Sequence, residues 1–296
     1  MDESYKVSII IPCHNSGRTL ERCVNSVLLQ SYHNIEVICI DDGSEDNTVE
    51  VLESYSEKDD RVHIRCNDRW RGTMSTRIKG LMCVTGDYVC FIDSDDYVEK
   101  NYVEMLLSSI MVSDADISFS DSYQIDGEDI KKMDTLFEGV IFYNEYKMRF
   151  AESGGSVIQW YVLWGKMFRV EILKETLPKL QRYCGMNMCE DLVISSYVSK
   201  NVKSATYTKE TSYNYCINKT DGMTSSPTTY GVNLEYISNV SNALEVTGKQ
   251  LSLCRDAKER WIKWYRYIWN KRIDMTQMNR FAKLILKFKI KFMIKM

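Results

Sequence analysis

Within the first hundred residues, four short apolar runs alternate with three amphipathic stripes, and few folds accept that order. Val7–Ile11, Ile35–Ile40, Val62–Ile64 and Tyr88–Ile92 are rich in β-branched residues. The first, second and fourth are nearly continuous in apolar character, as strands covered on both faces are. Between them, Leu20, Cys23, Val24, Val27 and Leu28 recur at helical spacing; Val49, Leu52 and Tyr55 form a shorter stripe, and Met74, Ile78, Leu81 and Met82 a third. Such alternation implies right-handed crossovers, so the expected fold class is α/β: a Rossmann-like, mostly parallel sheet with flanking helices. At 296 residues and 44% hydrophobic composition, the chain can fill one large core and still carry an appendage.

In an open parallel sheet, ligands bind beyond the carboxyl ends of the strands. Those positions are polar here: Pro12-Cys13-His14-Asn15, Asp41-Asp42-Gly43-Ser44, Asn67-Asp68 and Asp93-Ser94-Asp95-Asp96. Asp93 and Asp95 offer hard oxygen ligands suited to Mn or Mg, although a D-x-D alone is also what an ordinary Asx turn looks like. Asp42 can accept from a base imide or a ribose hydroxyl. Asn15 and Ser44 read more plainly as helix caps. Arg77 and Lys79 follow Gly72 on an expected helix, where a cation can meet a diphosphate or simply face solvent.

Ile9-Ile10-Ile11-Pro12-Cys13-His14-Asn15, then Ile40-Asp41-Asp42-Gly43-Ser44-Glu45-Asp46-Asn47-Thr48, then Gly86-Asp87-Tyr88-Val89-Cys90-Phe91-Ile92-Asp93-Ser94-Asp95-Asp96 closely resemble the family 2 glycosyltransferases of the GT-A fold. Trp164-Gly165-Lys166-Met167-Phe168-Arg169 and Glu190-Asp191 look like that family's later motifs, and the resemblance runs from about residue 5 to 220. It implies that Pro12, His14, Asn15, Asp42, Asn67, Arg77 and Asp93 bind the nucleotide and donor, that Asp93 and Asp95 hold a divalent cation, and that Trp164 and Lys166 contact a sugar. Asp191, with Glu190 beside it, would take the proton from the acceptor hydroxyl. A carboxylate in a helix's first turn also complements the helix dipole, which is the plainer role for this pair. The chain departs from the family at His14, where Tyr is usual, at Asn67–Gly72, which replaces an Asn-x-Gly-Gly loop, and at Ile78, where Asn often follows the Arg. The reaction implied is inverting transfer of a hexosyl or N-acetylhexosaminyl group from a UDP-sugar to a hydroxyl of a glycan, lipid-linked in surface polysaccharide biosynthesis. A nucleotidyltransferase of related fold and a non-catalytic sugar-nucleotide-binding protein are the alternatives.

Strand-like pieces at Asp116–Ser120, Leu136–Tyr143, Val162–Arg169, Lys203–Tyr207 and Ser212–Cys216 and a helix from Glu190 to Lys200 precede a polar loop, Asn218–Thr228. With no late His to act as an extra metal ligand, either that loop closes over the diphosphate without one or metal binding is weak. We therefore expect a nucleotide-sugar half at 1–120, an acceptor and base half at 121–228, and a helical extension at 229–296.

That extension is basic. Residues 249–296 hold 14 Lys+Arg against 3 Asp+Glu, a local +11, while residues 1–248 hold 24 against 38, or −14. Arg280, Lys283, Lys287, Lys291 and Lys295 step along a helix beside Phe281, Leu284, Ile285, Phe288, Phe292 and Met293, as in an interfacial amphipathic helix. Upstream, Trp261, Trp264, Tyr265, Tyr267 and Trp269 are interleaved with cations. The expected partner of 255–296 is an anionic membrane surface; ordinary packing on the body, or on a second copy in a homo-oligomer, is the plainer alternative, and nucleic acid is not expected. The ten cysteines show no C-x-x-C pair and read as small buried hydrophobes, and no leader pattern opens the chain, so the expected location is cytoplasmic, peripheral at the inner face of the membrane.

Overall fold

The computed structural model describes residues 4–217, 230–276 and 278–294. Strands β1 (Val7–Cys13), β2 (Ile35–Asp41), β3 (Val62–Cys66) and β4 (Tyr88–Phe91) lie parallel in the order β3-β2-β1-β4. β2 and β4 are buried along their whole length, which is why their sequences carry almost no polar alternation. Helices α1 (Leu20–Leu28), α2 (Thr48–Ser56) and α3 (Thr73–Cys83) supply the crossovers. The α1 stripe of Leu20, Cys23, Val24 and Val27 is fully buried; on α3, Met74, Ile78 and Leu81 face inward but Met82 is exposed, so that stripe is narrower than its spacing implies.

The next elements are β5 (Tyr97–Val98), α4 (Tyr102–Ser113), β6 (Ile117–Asp126), β7 (Asp129–Lys132), β8 (Val140–Phe142), α5 (Tyr143–Glu152), β9 (Lys166–Arg169), α6 (Val170–Lys174), α7 (Leu177–Leu180), α8 (Glu190–Val198) and β10 (Ser204–Cys216). The sheet continues past β4 as β9-β6-β10-β5, with β9 antiparallel to both its neighbours and β10 parallel to β6. This half departs from the strand-like pieces read in the sequence. Lys203–Tyr207 and Ser212–Cys216 are one strand, whose register on β6 shifts between Thr208 and Ser212, so the polar residues between them are a bulge and not a turn. Val162–Arg169 is strand only over its last four residues, because Gly165 takes a φ of +70° that breaks extended backbone. Leu136–Tyr143 contracts to β8, which pairs with Ser204–Thr206 before Tyr143 opens α5. Of the cysteines, Cys13, Cys23, Cys39 and Cys90 are buried as expected, whereas Cys66, Cys184 and Cys254 are exposed.

The chain divides into two compact units. The first contains the whole sheet and comprises residues up to Tyr143, Leu163–Gly185 and Asn201–Ile217. The second gathers Asn144–Val162 and Met186–Lys200 with α9 (Tyr230–Gln250), α10 (Arg255–Met275) and α11 (Arg280–Met293). Its core is aromatic: Trp261 is fully buried, donates from Nε1 to the Ala151 carbonyl at 2.9 Å and packs on Phe150, Tyr161 and Tyr265. Burying a side chain of this size contributes roughly 2–3 kcal/mol, and Trp269 and Tyr265 are buried beside it. The aromatic residues of α10 are thus largely core, and the expectation that they line a headgroup region is corrected to that extent; only Tyr267 among them is exposed.

Candidate functional site

The parallel register brings the polar ends of β1 to β4 to one edge, where they are bonded to one another. Asp42, at the end of β2, is almost wholly buried. Its Oδ1 accepts from Asn67 Nδ2 at 2.7 Å and from the Arg71 amide at 2.8 Å, and its Oδ2 accepts from the Gly72 amide at 2.8 Å. A buried carboxylate needs such donors, each charge-assisted bond offsetting roughly 1.5–3 kcal/mol of its desolvation. Asn67 is oriented in turn by Lys79, whose Nζ donates to Asn67 Oδ1 and to the Cys66 carbonyl. Lys79 therefore holds the loop, in place of the solvated helix face that is its plainer reading. Gly43 makes the close approach possible: a Cβ there would stand 2.5 Å from the Arg69 carbonyl carbon.

His14 and Asn15, both exposed, sit over this cluster. His14 Nδ1 donates to the Asp42 carbonyl at 3.0 Å, which leaves Nε2 to accept from Asn15 Nδ2 at 3.3 Å. Asn15 adopts a left-handed φ of 50°, donates its amide to Ser44 Oγ and accepts at Oδ1 from the Glu45 amide, so it ties the β1 turn to the β2 turn and does not cap a helix. Pro12 is the last residue but one of β1, opposite Ile40. The Trp70 ring, about half exposed, lies 6.4 Å from the His14 ring. Two aromatic faces and a buried acceptor thus share one corner.

The turn after β4 carries Asp93 and Asp95. The Arg77 guanidinium, buried on α3, donates to Asp93 Oδ1 at 2.9 Å. The Asp95 carboxyl is pushed up to about 6 by burial, and then by the Asp93 charge. Ser16 Oγ bonds Ser94 Oγ at 2.7 Å, Thr19 Oγ1 donates to the Ser94 carbonyl and Arg22 to the Asp95 carbonyl, so the α1 end of the chain grips the turn. Hard carboxylate oxygens on one turn suit a divalent ion, although among the described residues no three His, Cys, Asp or Glu side chains gather as a complete metal cage.

Two residues that sequence reasoning did not assign complete this turn. The Asp96 carboxyl accepts from Tyr213 Oη at 2.6 Å and from the Cys216 amide at 2.7 Å, and Tyr213 Oη accepts from the Asp93 amide at 3.1 Å. Burial, then Asp95 and Asp93, hold Asp96 well above the usual carboxylate range. Asp96 stands in the motif itself, but nothing in the spacing of Tyr213, 117 residues away, announces it. Trp164 is buried, stacked on Tyr213 at 4.9 Å and on Tyr215 at 5.5 Å. Lys166 is equally buried, with Nζ 4.8 Å from the Phe119 ring centre. Both therefore buttress the sheet beneath the turn.

Glu190 and Asp191 occupy the first turn of α8, in the second unit, with Glu190 buried and Asp191 partly so. The turn before them is set by Cys189, at a left-handed φ of 64°. The polar loop Asn218–Thr228, and with it any closure over a diphosphate, lies outside the described residues, as does Lys295.

Residues 8–177 match the pattern of Glycosyl transferase family 2. The chain belongs to that family. It is 34% identical over 123 residues to glycosyltransferase GlyG of Streptococcus pneumoniae serotype 4, covering 42% of this chain and 41% of GlyG. It is 35% identical over 128 residues to TuaG of Bacillus subtilis, named as a teichuronic acid biosynthesis glycosyltransferase, covering 43% of this chain and 50% of TuaG. The chain thus spans about half or less of these relatives' length. S. aureus TarS, in a crystal structure with UDP-GlcNAc, superposes with a TM-score of 0.61 at 15% identity over 98% of this chain and 88% of that one, which establishes the shared GT-A fold.

Proposed function

We propose that the chain is an inverting, metal-dependent glycosyltransferase that moves a hexosyl or N-acetylhexosaminyl group from a UDP-sugar to a hydroxyl of a lipid-linked glycan, in surface polysaccharide biosynthesis at the cytoplasmic face of the membrane. The observation that carries the reading is the Arg77–Asp93 pair beside Asp95, on the same sheet edge as the Asp42 cluster. The family, the relatives' names and the TarS complex with UDP-GlcNAc support it.

In this reading the base lies at the His14 and Trp70 corner with Asp42 as acceptor, and Asn15 and Asn67 hold the two turns that frame it. Asp93 and Asp95 would hold Mn or Mg, which when bound supplies positive charge to the departing diphosphate. Arg77 fixes Asp93 so that the pair presents one orientation. Transfer is an in-line displacement: the acceptor oxygen bonds to the anomeric carbon, the bond from that carbon to the diphosphate oxygen breaks, and its electron pair leaves with UDP. Asp191, or Glu190 beside it, takes the acceptor's proton. Trp164 and Lys166 are assigned to the sugar, as the family's motif implies.

The test is the thermal shift given by UDP with and without manganese, in the wild type and in Asp95→Asn, followed by transfer assays with a donor panel. A manganese-dependent shift lost in the variant is the expected result. No shift with UDP under either condition would remove the uridine site from the reading.

A further inference from the structure

Helix α11 is apolar on two opposite faces, and only one of them is used. Leu286 and Ile290 are buried, and Ile294 just beyond the helix is buried with them. At 3.6 residues per turn these side chains share one side. The helix is held there by α10: Lys287 pairs with Asp274 at 2.5 Å, Lys283 Nζ donates to the Asp274 carbonyl at 2.9 Å, and Arg266 donates to the Lys291 and Ile294 carbonyls. On the opposite side, Phe281, Leu284, Phe288 and Phe292 stand 72%, 65%, 65% and 50% exposed, with Phe288 and Phe292 in ring contact at 4.8 Å. Four large apolar side chains at helical spacing stand exposed and contribute nothing to this unit's core.

We infer that this outer stripe is the surface by which the protein docks on an anionic lipid bilayer, deepening the membrane-face location proposed above and resting on that part of the reading alone. Charge selects the partner. Residues 280–294 hold five cations and no carboxylate. Lys283 and Lys287 are engaged by Asp274, so a bilayer would meet Arg280 and Lys291 along one edge of the stripe. Phenylalanine and leucine entering the acyl boundary beside cations is the arrangement of an in-plane interfacial helix. Size argues against a second copy of the chain: the exposed parts of these four side chains come to roughly 400–500 Å², short of the ~800 Å² per partner that a stable dimer buries. Spanning is not the mode either, since no described helix is long and apolar enough to cross a membrane.

The experiment is co-sedimentation of the full chain with vesicles of phosphatidylglycerol and phosphatidylcholine in equal parts, and with phosphatidylcholine alone, at low and high salt. Three proteins are compared: the wild type, Phe288→Ser/Phe292→Ser, and Phe288→Leu/Phe292→Leu. The wild type should bind the anionic vesicles and release in high salt. The serine pair should bind roughly tenfold or more weakly, as the loss of two inserted rings requires, and the leucine pair should retain most of the binding. Because the stripe is solvent-facing, both variants should keep the wild-type melting temperature. Equal vesicle binding by the serine pair, no binding by the wild type, or a wild-type dimer in sedimentation equilibrium that the serine pair abolishes would each overturn the proposal. UDP binding, measured on the same proteins, keeps the two questions apart, because it tests the nucleotide site and should be the same in all three.

Discussion

Tyr213 donates its hydroxyl to Asp96 Oδ2 at 2.6 Å while accepting the Asp93 amide at 3.1 Å, so one buried side chain from β10 fastens the turn on which Asp93 and Asp95 stand. Removing that hydroxyl leaves a buried carboxyl short of a donor, a defect costing about 1–3 kcal/mol. Tyr213→Phe keeps the ring that stacks on Trp164 and should melt several degrees lower. Its manganese-dependent UDP shift should also shrink. A variant with wild-type stability and wild-type metal response would show that Tyr213 is not a brace.

Asp42→Asn is nearly isosteric but replaces one acceptor oxygen with a donor that must face either the Gly72 amide or both the Arg71 amide and the side-chain amide of Asn67. We expect the 67–72 loop to loosen, with stability falling by about 1–2 kcal/mol in urea titration and the UDP shift largely lost. Retention of the UDP shift would separate Asp42 from nucleotide binding.

Asp191→Asn should lower turnover by roughly 10²–10⁴ while leaving UDP affinity within about twofold, because a general base acts on the acceptor and not on the nucleotide. Titration calorimetry with UDP and a transfer assay on the same preparation give the two numbers. Should Glu190→Gln show that split and Asp191→Asn not, the base is Glu190.

At the opposite end of the sheet, Glu36 is almost wholly buried. It accepts from Ser8 Oγ, Lys6 Nζ and both the amide and the hydroxyl of Thr85. Burial pushes its carboxyl upward, but these donors outweigh it and hold the group at about 2. A depressed folded value means the stabilisation is fully present above the ordinary value of 4.5 and is lost as pH falls from there toward 2. At neutral pH it amounts to at most about 3 kcal/mol, less what solvent screens at exposed Lys6. The stability gap between wild type and Glu36→Gln should therefore narrow as denaturation is repeated at successively lower pH; a gap independent of pH would contradict the assignment.

Much of the first unit was legible because its signals are local. A fully covered strand must be apolar throughout, a crossover helix must show a stripe, and the polar residues after Ile11, Ile40 and Ile92 fall at or just beyond the strand ends, so the α/β class, a largely parallel first half and the edge where Asp42, Asp93 and Asp95 collect could be read from the residues alone, whereas the strand order β3-β2-β1-β4 could not. What each of those residues touches is a different matter. That Asp42 is closed by Asn67, Arg71 and Gly72, that Lys79 serves Asn67 and that Tyr213 fastens Asp96 depends on partners that chain folding brings together, and a hydrogen bond leaves no period in a sequence. The same holds in α10 and α11, whose aromatic and cationic spacing looked alike along the chain. That Trp261, Tyr265 and Trp269 fill a core while Phe281, Phe288 and Phe292 face out emerges on folding, because an amphipathic stripe records that a face is apolar and not what will cover it.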